Sequence, residues 1–204
     1  MKRNRIIAGL AICVFAASAI AARAFPHRNT ARHATPPPAA SEMRALSAPQ
    51  VEALPPQAAR DALAELPGVR ADQERQLIAG IGSKSYAVNA APTTDGGVCM
   101  TTPAGGGCFT SFAPSGISFG VGMNNDGPAS PADRELIAGV ASDRVSRIDV
   151  VAGNRRLRVP LRDNAFVYEA PAVGVWADAL EVGLTDGSKA RVVVSNANRA
   201  EAIP

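Results

Sequence analysis

Alternation between apolar and polar residues in the last third of the chain constrains the fold more than any other feature. In residues 145–151, Ile148 and Val150 fall on one face of a strand, and residues 155–161 alternate in the same way. Gly153-Asn154 between the two runs is typical of a tight β-hairpin turn. The spacing predicts an antiparallel hairpin with one buried side and one solvent-facing side.

Short apolar runs bounded by turn residues recur along most of the chain. Residues 180–184 and 190–194 form a second predicted hairpin around Asp186-Gly187. Strands spaced about 8–12 residues apart and joined by such turns indicate an antiparallel sandwich. Aromatic residues make up only 4% of the chain, so Val, Leu, Ile and Ala must build the core. The same scarcity disfavours a carbohydrate-binding platform.

A short helix is predicted before the strands. In residues 57–66, Leu63 and Leu66 are spaced for one helical face, and Pro67 ends the pattern. A second short helix is predicted to begin with Asp72 as its cap. The predicted fold is therefore mainly β, an antiparallel sandwich-like domain with a short N-terminal helix.

Two cysteines, Cys99 and Cys108, lie outside the first 24 residues, and an even count favours one disulfide in an oxidising compartment. Pro103 and the glycines of residues 105–107 between them indicate a turn. Strands over residues 98–102 and 108–112 would place the two cysteines opposite each other. The Cys-x8-Cys spacing does not match a Cys-x-x-Cys redox motif.

The N-terminus has the layout of an export signal. Lys2, Arg3 and Arg5 precede residues 6–22, which carry no charge, and a small-residue Ala-Arg-Ala site follows. Two interpretations stay open, a cleaved signal peptide and an uncleaved transmembrane anchor, because 17 residues is the short end of a membrane span. Either interpretation predicts an exported chain, secreted or held at the membrane through residues 6–22.

Proline and alanine dominate the segment after the leader. The Pro/Ala-rich composition of residues 25–56 predicts an extended linker with too few large apolar residues for its own core. The predicted organisation is a leader over residues 1–24, this linker, a β-rich globular domain over residues 57–196 and a tail over residues 197–204.

The basic character of the chain comes from its leader. Four of the 21 basic residues and none of the 18 acidic residues lie in residues 1–24, so the remainder carries a net charge of −1. This balance argues against nucleic-acid binding, which wants a basic domain.

No catalytic residues emerge from the pattern. The histidines, His27 and His33, lie in the predicted linker, which makes a Ser-His-Asp site or a four-ligand zinc site with the cysteines improbable. Carboxylate pairs brought together by folding are invisible in a sequence. We predict no metal and no cofactor, and no catalytic residue is assigned.

One surface feature favours binding. Arg147, Arg156, Arg158 and Arg162 recur at period two on the polar side of the predicted hairpin. Arginine binds carboxylate and phosphate groups through two parallel hydrogen bonds. This set is the candidate face for an envelope polyanion or a protein partner; the alternative is a solvated outer face partly neutralised by Asp149 and Asp163.

Several motifs together resemble a known family. They are the Pro-rich segment, Tyr86-Ala87-Val88, the two cysteines with their glycine turn, Ile137 to Val145 (IAGVASDRV) and Pro160 to Phe166 (PLRDNAF). Over roughly residues 45–195 the chain resembles a family of uncharacterised exported or membrane-anchored proteins common in actinobacterial genomes. The resemblance implies export and a β-rich domain, and it implies no activity.

The sequence therefore predicts a non-enzymatic extracytoplasmic envelope interaction module, membrane-tethered or secreted. A small secreted hydrolase with unidentified carboxylates and a structural stalk domain without a ligand are the alternatives.

Overall fold

A computed structural model of the chain describes residues 35–48, 57–124 and 133–195, all within one compact unit that begins at Thr35. The predicted leader, the predicted tail and the linker residues 25–34 and 49–56 lie outside this range. Among the residues that the structure describes, no helix is long and apolar enough to cross a membrane.

The described chain is mainly β, as predicted, with short helices α1 (Arg44–Ser47) and α2 (Gln57–Ala64) before the strands. In chain order the strands are β1 (Arg75–Ile81), β2 (Tyr86–Pro92), β3 (Val98–Thr102), β4 (Gly105–Phe109), β5 (Ile117–Met123), β6 (Glu135–Ala141), β7 (Val145–Ala152), β8 (Arg155–Val159), β9 (Leu161–Arg162), β10 (Ala165–Glu169), β11 (Ala179–Leu184) and β12 (Lys189–Val193).

These strands form three antiparallel sheets of four strands each. The disulfide sheet has the order β1-β2-β3-β4, the middle sheet β5-β6-β10-β9, and the charged sheet β12-β11-β7-β8. All pairings within the sheets are antiparallel. A sandwich has two sheets, so the third sheet is an addition to the predicted arrangement.

The two central strands of the middle sheet, β6 and β10, are buried on both faces. On β6, Leu136 and Val140 pack against the disulfide sheet, while Ile137 and Ala141 pack against the charged sheet. Every residue of β6 is buried. A continuous apolar run in place of alternation is typical of a strand covered on both sides, and it explains why three sheets stack here.

The helix α2 covers the outer face of the disulfide sheet. Leu63 is fully buried against Ala91 and Cys99, and Leu66 packs beside it. The predicted helix over residues 57–66 is present, but it ends at Ala64, two residues earlier than predicted. The predicted helix capped by Asp72 is instead a single 3-10 turn, Ala71–Gln73, in which Asp72 lies inside the turn and Arg70 occupies the cap position. The cap prediction was wrong.

Residues 39–47, which we call the strap, pack on the β domain. Met43 and Leu46 belong to the core between the disulfide and middle sheets, and Ala39 N donates to Thr110 O at 2.9 Å. The linker prediction is therefore wrong for these residues. Composition alone suggested that this segment could not pack, but two large apolar side chains are enough to anchor it in a core that other elements build.

The turn between β6 and β7 and the turn between β9 and β10 both hydrogen-bond to the strap. The Asp143 carboxylate accepts the Arg44 N–H at 3.0 Å and the Asn164 side-chain amide at 2.8 Å. Asn164 Oδ1 accepts the Ala45 N–H at 3.0 Å. Asn164 itself has a left-handed backbone, φ 63°, which asparagine tolerates better than most residues. These two side chains belong to the IAGVASDRV and PLRDNAF segments and give both a structural role.

Candidate functional site

The hairpin predicted from alternation is present in the charged sheet. Strands β7 and β8 flank Gly153 and Asn154, and Ile148 and Val150 are fully buried in the core against the middle sheet. Asp149 lies directly opposite Arg158 on the outer face. The prediction of one buried and one polar side is confirmed.

Charged side chains form a row across all four strands of this sheet. Arg191 on β12 pairs in register with Glu181 on β11, Glu181 pairs with Asp149 on β7, and Asp149 pairs with Arg158 on β8. Because paired residues of adjacent strands point to the same face, the two acids lie at the centre and the two arginines on the outer strands.

Four ion pairs involve the two acids of this row, two within the row and two to Arg147 and Arg156 beside it. Asp149 accepts Arg147 Nε at 2.5 Å and Arg158 Nε at 2.9 Å. Glu181 accepts Arg156 Nη2 at 2.9 Å and Arg191 Nη1 at 3.0 Å. Each carboxylate therefore holds two guanidinium groups in fixed positions on the face.

The arginines stand above the carboxylates. The four arginine side chains are between 47% and 58% exposed, whereas Asp149 is 6% and Glu181 26% exposed. Burial by itself would raise the pKa of Asp149, but the hydrogen bonds and positive charges of Arg147 and Arg158 outweigh it and hold the pKa below its ordinary value. A ligand approaching this face meets the guanidinium groups first.

We define the cationic face by the basic residues Arg147, Arg156, Arg158, Lys189 and Arg191 with the acids Asp149 and Glu181, which gives it a net charge of +3. An open depression of about 300 Å³ on this face has Gly183 in its lining, and we call it the depression above Gly183. Gly183 pairs with Arg147 on one side and Lys189 on the other. Because glycine has no side chain, a gap is left between the side chains of these two cations.

Arg162 does not belong to this face. Strand β8 ends at Val159, and Arg162 lies in β9, which pairs with β10 in the middle sheet. Pro160 has no N–H for the β7 ladder, and the chain leaves the charged sheet at this residue. The placement of Arg162 in one set with Arg147, Arg156 and Arg158 was wrong.

Sequence reasoning missed Glu181, Lys189 and Arg191. The apolar runs of residues 180–184 and 190–194 around Asp186-Gly187 did predict their hairpin, but no polar side was assigned to it. Which strand this hairpin joins is decided by the pairing of β11 with β7, across a sequence separation that carries no local signal.

The Cys99–Cys108 disulfide joins directly opposed residues of β3 and β4, with Cα atoms 4.0 Å apart. Cys99 is buried and Cys108 is exposed. The predicted pairing is confirmed, although the glycines 105–107 form strand β4 and the turn is at Pro103 and Ala104. The glycine at 106 permits close approach, since a Cβ there would lie 2.7 Å from Met100 O. A disulfide fits an oxidising, extracytoplasmic environment.

A buried carboxylate elsewhere has a structural explanation. Glu169 accepts the backbone N–H and the hydroxyl of Ser83 at 2.8 and 2.7 Å, the Asn124 amide at 2.9 Å and Arg134 at 2.5 Å. Burial favours a raised pKa for Glu169, but these donors prevail and hold it below its usual range. The ionised Glu169 carboxylate, with its four hydrogen-bond donors, therefore connects the β1–β2 turn to the end of strand β10 in the middle sheet.

Within the described ranges, no group of three or more His, Cys, Asp or Glu side chains is arranged to hold a metal ion. No protein-family model, no curated protein and no solved structure matches the chain. Its geometry defines a disulfide-stapled, mainly β domain of three stacked sheets with a cationic outer face.

Proposed function

We propose that this protein is a non-enzymatic extracytoplasmic interaction module that binds an anionic polymer of the cell envelope through the cationic face. The leader over residues 1–24 and the disulfide support export, either tethered to the membrane or secreted. The observation that carries the proposal is the layered charge of the charged sheet, with exposed arginines held by carboxylates beneath them.

The arrangement of this face favours binding over simple solvation. A surface that only needs to be soluble mixes both signs at one level, whereas here the acids lie beneath the cations. Because Asp149 and Glu181 each fix two arginines, the guanidinium groups lose less conformational freedom when an anion binds. The four arginine side chains are about half exposed, and the guanidinium N–H groups suit carboxylate or phosphate oxygens.

The shape of the face favours a polymer over a flat membrane surface. The depression above Gly183 is concave, so a bilayer lying across the sheet would not reach its floor, while a chain segment would. Val173 and Val193 are the highly exposed large hydrophobic side chains among the described residues, and neither lines the depression. An anionic chain is therefore the partner whose charge and shape match.

The test compares two double variants that lose the same charge. Arg156→Gln with Arg158→Gln neutralises two arginines of the face, and Arg70→Gln with Arg162→Gln neutralises two exposed arginines elsewhere. Glutamine avoids placing a new carboxylate opposite Asp149. The full chain in mild detergent is titrated by calorimetry with poly(glycerol phosphate), polyglutamate and neutral dextran.

We expect the first variant to bind the polyanions on the order of tenfold more weakly, about 1.4 kcal/mol, and the control to bind like the wild type. Binding should also weaken between about 0.1 and 1 M salt, where the screening length falls from about 10 to 3 Å. Equal losses in both variants, or dextran binding, would contradict the proposal. So would mixed micelles with phosphatidylglycerol that compete as well as the polymer at equal phosphate.

A further inference from the structure

Gly183 occupies an unusual position for a glycine. It is the penultimate residue of β11 and is paired on both sides, where glycine weakens a strand because it contributes no side chain to packing. A glycine in a strand often marks a bulge, a tight bend or the close approach of a ligand or another backbone.

Neither a positive φ nor a close contact requires this glycine, although the pairing of β11 with β7 is irregular directly after it, where Leu184 pairs with Val145 and Ser146 is skipped. Gly183 is not among the glycines with positive φ. A Cβ at Gly183 would meet the Arg147 Cβ at 3.4 Å, which is ordinary contact, whereas a Cβ at Gly139 would lie 2.2 Å from Ser118 O. A second consequence of this glycine is the depression itself, which a larger side chain at 183 would fill.

We infer that the depression above Gly183 is the seat for one phosphodiester group of the polymer, a conclusion that rests on the proposed function of the cationic face. Arg147 and Lys189 flank the glycine from opposite strands, roughly 10 Å apart at the backbone by strand spacing. Arg156 and Arg191 line the same depression.

The disposition of these cations favours phosphate over carboxylate. A carboxylate is planar, and one arginine fork satisfies both of its oxygens. A phosphodiester is tetrahedral and carries a shared charge on oxygens that point in different directions, so it suits donors arriving from both sides. Lys189 forms no ion pair with the residues that the structure describes and supplies a mobile point charge to the seat.

The seat is tested by filling it. Gly183→Val places a side chain in the depression and leaves every charge of the face unchanged. Gly107→Val is the matched control, because Gly107 is an exposed strand glycine on the disulfide sheet with open space around its Cβ position. Both variants and the wild-type full chain are titrated with poly(glycerol phosphate) and with polyglutamate of equal charge, after thermal melting has confirmed folding.

We expect the wild type to prefer the phosphodiester polymer by about tenfold, and Gly183→Val to lose that preference while Gly107→Val keeps it. Unchanged preference in Gly183→Val would overturn the inference. If Gly183→Val fails to fold, Lys189→Gln replaces it, because Lys189 is exposed on an edge strand of the sheet. Lys189→Gln should lower the affinity for the phosphodiester polymer several-fold more than the affinity for polyglutamate. An equal loss of affinity for both polymers would contradict the phosphate seat.

The two proposals fail in different ways. If Arg156→Gln with Arg158→Gln weakens binding while Gly183→Val changes nothing, the face binds polyanions but has no phosphate seat. If neither variant changes binding, the cationic face is not the binding surface, and both proposals are wrong.

Discussion

The disulfide sheet and the charged sheet both pack one face on the middle sheet, but their outer sides differ. The disulfide sheet is covered by α2, whose Leu63 lies on Cys99, and its core against the middle sheet is closed by Met43 and Leu46 of the strap. The charged sheet has a cationic outer face with an open depression. Covering elements stabilise a sheet, whereas a bare face with ordered charges is available to a partner.

The largest expected effect concerns the covered side. Replacing both cysteines, Cys99→Ala with Cys108→Ala, should lower the free energy of unfolding by about 2–3 kcal/mol, because the open chain gains loop entropy in the unfolded state. Chemical denaturation measures this loss, and polyanion binding should stay unchanged. The wild-type protein in a reducing buffer should lose a similar amount of unfolding free energy. Because it keeps the Cys99 sulfur, this comparison distinguishes the effect of the bond from the effect of the packing of that atom. A loss of binding in either sample would break the division between the two sides.

A smaller effect is expected where the strap is held. Asp143→Ala removes the acceptor for the Arg44 N–H at the start of α1, and losses of this kind cost about 1 kcal/mol. Asp143→Asn keeps one acceptor oxygen and should lose less. Thermal melting compares the three proteins. Equal stability of Asp143→Ala and the wild type would mean that the strap is held by Met43 and Leu46 alone.

The smallest effect is a pH dependence on the bare side. The pKa of Asp149 is lower in the folded chain than its ordinary value of 3.8, so its ion pairs stabilise the fold above pH 3.8 and this contribution is lost as pH falls through the folded pKa. Asp149→Asn should therefore be less stable than the wild type near pH 6, and the gap should narrow below about pH 4. Denaturation curves at several pH values provide the measurement. A constant gap would mean that Asp149 acts through packing rather than charge.

Local signals predicted local structure well. Leu63 and Leu66 followed by Pro67 were enough for α2, and alternation around Gly153-Asn154 was enough for the β7–β8 hairpin. The cysteine pair was predictable because its two strands are neighbours in the chain. The glycines 105–107 misled because glycine serves both in turns and where strands approach closely, and only the neighbouring atoms distinguish these roles.

The candidate site was predictable in part. Arg147, Arg156 and Arg158 share a face because they belong to one hairpin, whose register follows from its turn. Arg162 continued the same period in sequence, yet Pro160 precedes a change of sheet. Glu181, Lys189 and Arg191 came from another hairpin, so period-two counting could not bring them to the same surface.

Residues close together in the chain were enough to predict the β class, the disulfide, the two C-terminal hairpins and the buried and polar sides of the β7–β8 hairpin. Tertiary structure alone decided that β6 and β10 are buried on both sides, that the strap enters the core and that β11 joins β7. The physical reason is that pairing between distant strands depends on which apolar faces remain uncovered once the local elements have formed. The depression above Gly183 exists only after that pairing. Its two flanking cations, Arg147 and Lys189, are 42 residues apart in the sequence, and both pair with Gly183.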